Sequence, residues 1–124
     1  VTKNNLVMMN NLALANLQQG NVEVARLLYE EIVAQRAQHF AHYYLGTIYD
    51  YRGDAAAAEF HYRTALFVDA SFTPPAFKLG ELLFTRRQFG EAENLFRRVL
   101  KAEPGNEAAA DYMRRIALLT SRAQ

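Results

Sequence analysis

The three histidines, His39, His42 and His61, are the side chains best suited to hold a metal or move a proton near neutral pH. His39 and His42 stand three residues apart, close enough on a helix surface to share one ion. No carboxylate at helical spacing completes a ligand set, and the chain has no cysteine to add a thiolate. His42 also falls where a large packing residue is expected, so no metal and no cofactor is assigned. Ser71 and Ser121 have no histidine at a spacing that suggests a nucleophile and its base. Arg52-Gly53-Asp54 spells an adhesion tripeptide, but its letters serve a helix end, a tight turn and an N-cap. Glu30-Glu31 and the pair Glu91 and Glu93 read as solvated faces of helices. Nothing here assembles an active site, and an enzyme is not expected.

Charge offers one more possibility. Arg86-Arg87, Arg97-Arg98, Lys101 and Arg114-Arg115 gather in the last third of the chain, as a nucleic-acid or acidic-partner patch would. Glu81, Glu91, Glu93 and Glu103 are interleaved with them, and the net charge over 124 residues is only +1. Nucleic-acid binding is therefore the most distant alternative, and no nucleic acid is expected as a partner. No window approaches the 18 apolar residues a membrane span needs, and no membrane partner is expected. No secretory signal pattern is present. Lack of cysteine fits a reducing compartment and slightly favours the cytoplasm, though it also suits a secreted or periplasmic protein that avoids mispairing. A first residue of Val suggests a segment of a larger protein.

The elements that carry these residues follow from an internal repeat. Leu12-Ala13, Leu45-Gly46 and Leu79-Gly80 recur at offsets of 33 and 34 residues. Each pair is followed at one interval by alanine (Ala25, Ala58, Ala92), then by an aromatic (Tyr29, Tyr62, Phe96), then by Ile32, Ala65 and Val99. A small residue on one helix admits a close neighbour, and the aromatic one turn beyond the alanine fills the space left. Gly20 and Gly53 occupy the turn within the first two copies; Arg87 takes that place in the third. Asn21, Asp54, Thr73 and Asn106 read as N-caps, with Pro74 at the first helical position. Helices are expected near 5–19, 22–36, 39–52, 55–69, 74–86, 89–102 and 107–122.

This pattern resembles the tetratricopeptide repeat. The second copy carries it best, with Leu45, Gly46, Tyr49, Ala58, Tyr62 and Ala65; the third adds Pro104. The first copy departs at Asn16 and Ala37, and Ala70 replaces the closing proline of the second. The resemblance implies an all-α, right-handed superhelical solenoid of antiparallel helix pairs. Repeats would span about 5–38, 39–71 and 72–105, with a capping helix at about 106–122, all in one domain. In that last helix Ala109, Tyr112, Met113, Ile116 and Thr120 would face inward, with Asp111, Arg114, Arg115 and Arg122 outward and Leu118 among them.

The resemblance also implies a scaffold or adaptor that binds a protein or peptide segment along the first helices of the pairs. The partner surface would comprise Asn10, Asn11 and Leu14, flanked by Val7 and Leu17, from the first copy. The second would add Phe40, Tyr43, Tyr44, Thr47, Asp50 and Tyr51, and the third Phe77, Lys78 and Glu81 beside Phe84. Tyrosines with apolar bodies and polar tips suit recognition. Phe40 and Phe84 could instead seal gaps between helices. Co-chaperone relatives clamp a carboxylate tail with lysines and asparagines; here the matching places carry Asn10, Leu14, Tyr44, Pro74 and Lys78. Only Lys78 fits, which argues against Hsp70 or Hsp90 tails as partners. Leu6, Val7, Met8 and Met9 form an apolar run with no cap before it, so a homodimer through the first helix is the alternative function.

Overall fold

The computed structural model describes residues 3–122, and among these all regular structure is α-helical. Seven helices follow one another: α1 (Lys3–Gln18), α2 (Val22–Gln35), α3 (His39–Tyr51), α4 (Ala55–Val68), α5 (Thr73–Thr85), α6 (Phe89–Ala102) and α7 (Glu107–Arg122). Each lies within two residues of the range read from the sequence. The chain forms two compact units, Val1–Ala70 with α1 to α4 and Ser71–Gln124 with α5 to α7. None of the described helices is long and apolar enough to cross a membrane.

The repeat is visible first in the turns. Asn21, Asp54 and Gln88 donate their backbone N–H to the carbonyls of Asn16, Tyr49 and Leu83, and the preceding residues donate to Leu17, Asp50 and Phe84. This paired closure needs a left-handed residue after the helix. Gly20 and Gly53 supply it at φ 85° and 83°, and Arg87 adopts it at φ 62° despite its Cβ.

Packing within each pair confirms the small-then-aromatic logic. A Cβ placed on Gly46 would lie 2.5 Å from the ring of Tyr62, and one on Gly80 would lie 2.8 Å from that of Phe96. Ala25, Tyr29, Ile32, Ala58, Tyr62, Ala65, Ala92, Phe96 and Val99 are all buried, as the spacing requires. In the first unit Leu6, Ala13, Ala41, Leu45 and Ile48 complete a core with Ala25, Tyr29 and Ile32. The inward stripe of α7 is carried by Ala109 and Ile116, which are buried, while Leu118 is exposed. The side chain of Arg122 lies outside the described residues.

The caps divide. Asp54 accepts from the backbone N–H of Ala57, and Asn106 from that of Ala109, as expected of N-caps. Asn21 holds the N-cap position without a side-chain bond to its helix, because its amide turns to donate to Asn16. Thr73 is corrected: the cap is Phe72, and Thr73 is already helical with a proline behind it. Its hydroxyl donates instead to Glu103, at 2.6 Å. The Arg52-Gly53-Asp54 triplet is structural, since Arg52 pairs with Glu23 while Asp54 caps α4. Hydrogen bonds from Arg26 and then Arg52 hold the Glu23 carboxyl down at about 2.

Candidate functional site

The first unit contains an open cavity of about 600 Å³, floored and walled by α1, α3 and the end of α2. Asn10, Asn11 and Leu14 reach it from α1, and Phe40 and Tyr44 from α3, so five of the expected surface residues meet in one place. Val7 joins them, as does Val68 from α4. Asn10 is held in position by its own amide, which donates to the Leu6 carbonyl at 3.2 Å and to Gln38 Oε1 at 2.7 Å. Phe40 is half exposed, so it forms a rim and does not merely seal a gap.

Elsewhere on α3, Tyr51 is 89% exposed and does not line the cavity, and three further expected residues make contacts within the helix pair. The Thr47 hydroxyl donates to the Tyr44 carbonyl at 2.7 Å, Asp50 accepts from the Tyr62 hydroxyl at 3.3 Å, and Tyr43 lies against the Tyr44 and Tyr62 rings. None of these three lines the cavity. Tyr44 is partly buried, because its ring stacks on Tyr29 with centroids 5.3 Å apart and an 18° interplanar angle. Glu30, read from sequence as solvated, is partly buried and accepts from the Tyr49 hydroxyl at 2.8 Å, which raises the Tyr49 pKa.

Phe77, Lys78 and Glu81 belong to the second unit and make a different arrangement. Phe77 meets the rings of Phe96 and Tyr112 edge-on, and Phe84 meets those of Phe89 and Tyr112. Phe84 therefore does seal a gap. Glu81 accepts from the Tyr112 hydroxyl at 2.9 Å and lies 3.8 Å from Lys78.

Sequence reasoning missed the floor of the cavity. Tyr29, Arg36, Gln38 and His39 line it, although only first-helix positions were assigned to the surface. Tyr29 sits at the repeat's aromatic core position and is 1% exposed, which hid its second role. Burial, and then Tyr44, push its hydroxyl pKa well above the usual tyrosine range. His39 faces Asp69 at 3.8 Å, and His42 turns away to meet His61, with their Nδ1 atoms 3.0 Å apart and both rings buried. Hence the two histidines do not share an ion. Among the described residues no group of three His, Cys, Asp or Glu side chains is placed to hold a metal. In the basic third, Arg97 pairs with Glu93, and both Arg114 and Arg115 pair with Asp111.

Residues 5–40 match the tetratricopeptide repeat family. A search of curated proteins gives no match. Among solved structures, the first such repeat domain of Spaghetti (RPAP3), bound to the HSP90 peptide SRMEEVD, is 21% identical with a TM-score of 0.85. That likeness covers 98% of this chain and 97% of the other. The Yersinia enterocolitica type III secretion chaperone SycD, in complex with a peptide of the translocator YopD, is 17% identical over 96% of this chain and 97% of its own, with a TM-score of 0.84. The P58(IPK) repeat domain gives a TM-score of 0.90 at 22% identity, covering 97% of this chain and 35% of the other. These likenesses establish the fold class expected from the sequence, all-α and built of antiparallel helix pairs.

Proposed function

We propose that the chain, whose residues 5–40 match the tetratricopeptide repeat family and whose fold is that of such repeat domains, binds a peptide or protein segment, without catalysis, as a scaffold or adaptor. Structural neighbours bind peptides, one from HSP90 and one from YopD. The observation that carries the reading here is the cavity of the first unit, where Asn10, Asn11, Leu14, Phe40 and Tyr44 converge. Apolar walls with a few placed polar groups are what a segment anchored by one side chain requires. Tyr43, Thr47 and Asp50 support the shape of that helix, while Phe77, Lys78 and Glu81 would contribute a second contact region.

Peptides selected on the chain from a random display library provide the test. Phe40→Ala should weaken them about 30-fold, the scale of losing an aromatic anchor, with helicity unchanged by circular dichroism. Glu59→Ala, on the outer face of α4, should leave them bound. Peptides indifferent to Phe40→Ala and lost on Glu59→Ala would move the binding surface to the other side of the helices.

A second reading, self-association through α1, has an observation of its own. Met8 and Leu12 are 67% and 54% exposed, whereas Ala41 and Leu45, one repeat later, are fully buried. Such a face is shaped to be covered by helices. Light scattering should then show dimers that increase with concentration and revert to monomers in the double variant Met8→Glu, Met9→Lys. A monomer at high concentration would exclude this reading and leave the first untouched.

A further inference from the structure

The aromatic at the core position of each repeat makes a different polar arrangement in each copy. In the second, the Tyr62 hydroxyl donates to Asp50. In the third, Phe96 has no hydroxyl to satisfy. In the first, Leu17 stands where Asp50 stands one repeat later, and Tyr29 keeps its hydroxyl. That hydroxyl is the buried side-chain polar atom left without a partner among the described residues. Three other tyrosine hydroxyls, those of Tyr49, Tyr62 and Tyr112, each meet a carboxylate. A buried donor without an acceptor destabilises the fold that holds it, and native chains rarely keep one without a use.

Tyr29 lines the cavity of the first unit, stacked against the partly buried ring of Tyr44. The remaining polar groups around that cavity are Asn10, Asn11, Arg36, Gln38 and His39, and no carboxylate lines it. One fixed positive charge with several donors, and no acid on the lining itself (Asp69 faces His39 at 3.8 Å without lining the cavity), is complementary to an anion, not to a cation. The other walls, Val7, Leu14, Phe40 and Val68, are apolar.

On the reading that this cavity binds a peptide segment, we propose that it selects an aliphatic side chain with an aspartate or glutamate beside it. The aliphatic group lies against Leu14 and Phe40. The carboxylate accepts from the Tyr29 hydroxyl once the Tyr44 ring has shifted from its stack, and Arg36 at the rim attracts it. Tyr29 is thereby a specificity-determining residue, and the ligand supplies the acceptor that Asp50 supplies to Tyr62.

The experiment sequences the peptides selected from the random display library and measures them on Tyr29→Phe and Arg36→Ala. Peptides taken by the wild-type chain should be enriched in an acidic residue next to Leu, Ile, Val or Met. Tyr29→Phe removes only the hydroxyl, so it should bind them about 10-fold more weakly, as the loss of a hydrogen bond to a charged group requires. The same variant should melt no lower than wild type, because an unsatisfied buried group has gone. Arg36→Ala should weaken binding less, and less still at high salt. Selected peptides that depend on Phe40 but show no acidic enrichment, or that bind Tyr29→Phe equally well, overturn this inference and leave the groove in place. Failure to select any peptide overturns the groove reading with it.

Discussion

Tyr44 in the first unit and Tyr112 in the second solve one packing problem with opposite results. Each falls on the helix that follows a repeat and stacks on that repeat's core aromatic, Tyr44 on Tyr29 and Tyr112 on Phe96. Around Tyr112 the site is filled: Phe77 and Phe84 pack edge-on, Glu81 takes the hydroxyl, and the Arg115 guanidinium lies 5.2 Å from the ring centroid. Around Tyr44 the corresponding positions hold Asn10, Leu17 and Leu14, and a cavity remains. Three side chains thus separate a filled site from one that keeps a cavity. The repeat specifies the backbone, and the residues it leaves unspecified decide whether a given copy is closed or open.

The most drastic way to break the comparison is to remove one unit and ask whether the other persists. Ala92 is fully buried, so Ala92→Arg should lose several kcal/mol, enough to unfold α5 to α7. Amide exchange would then read the first unit separately. Protection retained in α1 to α4 means that the two are independently stable, as neighbour-only packing allows; protection lost throughout means that they are not.

Acid should separate them next. The buried pair of His42 and His61 belongs to the first unit, and its counterparts one repeat later are the buried Ala76 and Leu95. Burial lowers both histidine pKa values below the ordinary 6.5; the second imidazole lowers that of His42 further, and Glu30 opposes the shift in both. Tyr49 stacks on His61 from within the same helix pair. Since the unfolded chain takes up protons that the folded pair refuses, stability is complete above pH 6.5 and falls below it. The slope approaches about 1.4 kcal/mol per pH unit for each histidine. Melting of α3 and α4 should be acid-sensitive and that of α5 to α7 much less so. Replacing the pair with the residues of the third copy, His42→Ala with His61→Leu, should flatten the profile. An unchanged profile would place the acid sensitivity elsewhere.

A milder change converts one end into the other. Glu81→Leu deprives Tyr112 of its acceptor and imitates Leu14, at a cost of about 1 kcal/mol for a partly exposed hydrogen bond. Leu14→Glu in the first unit should do the reverse, offering Tyr44 a carboxylate and abolishing peptide binding. Retained binding would mean that the cavity is not where the segment sits. The smallest effect belongs to the turns. Arg87→Gly should raise stability by up to about 1 kcal/mol, because the left-handed backbone costs any residue with a Cβ. Gly53→Arg, the converse, should lower it by a similar amount.

Most of the fold was legible because its determinants are local and repeated. Ala58, Tyr62 and Gly46 announce a helix pair by spacing alone, and the extra residue between the second and third copies falls in a turn. The cap at Phe72 was not legible, since Thr73 followed by proline satisfies the rules for a cap while the backbone enters the helix one residue earlier. The site was half legible. Family resemblance pointed by helix position to Asn10, Asn11, Leu14, Phe40 and Tyr44, which line the cavity, and also to Tyr43, Thr47 and Asp50, which do not. Tyr29 was invisible as a cavity-lining residue because a core aromatic reads the same whether or not its hydroxyl has a partner. The one signal was a mismatch between copies, Leu17 against Asp50.

The hydroxyl pattern has an optical consequence. The chain contains seven tyrosines and no tryptophan, so its ultraviolet emission is that of tyrosine with no indole to drain it. Hydrogen bonding to a carboxylate quenches tyrosine emission, and Tyr49, Tyr62 and Tyr112 are so bonded. Tyr29 is not, and its stacking on Tyr44 couples the two rings into a shared near-ultraviolet circular dichroism signal. A segment that parts this stack and brings its own carboxylate would dim the emission and change the dichroism together. Occupancy of the first unit could then be followed on the unlabelled protein.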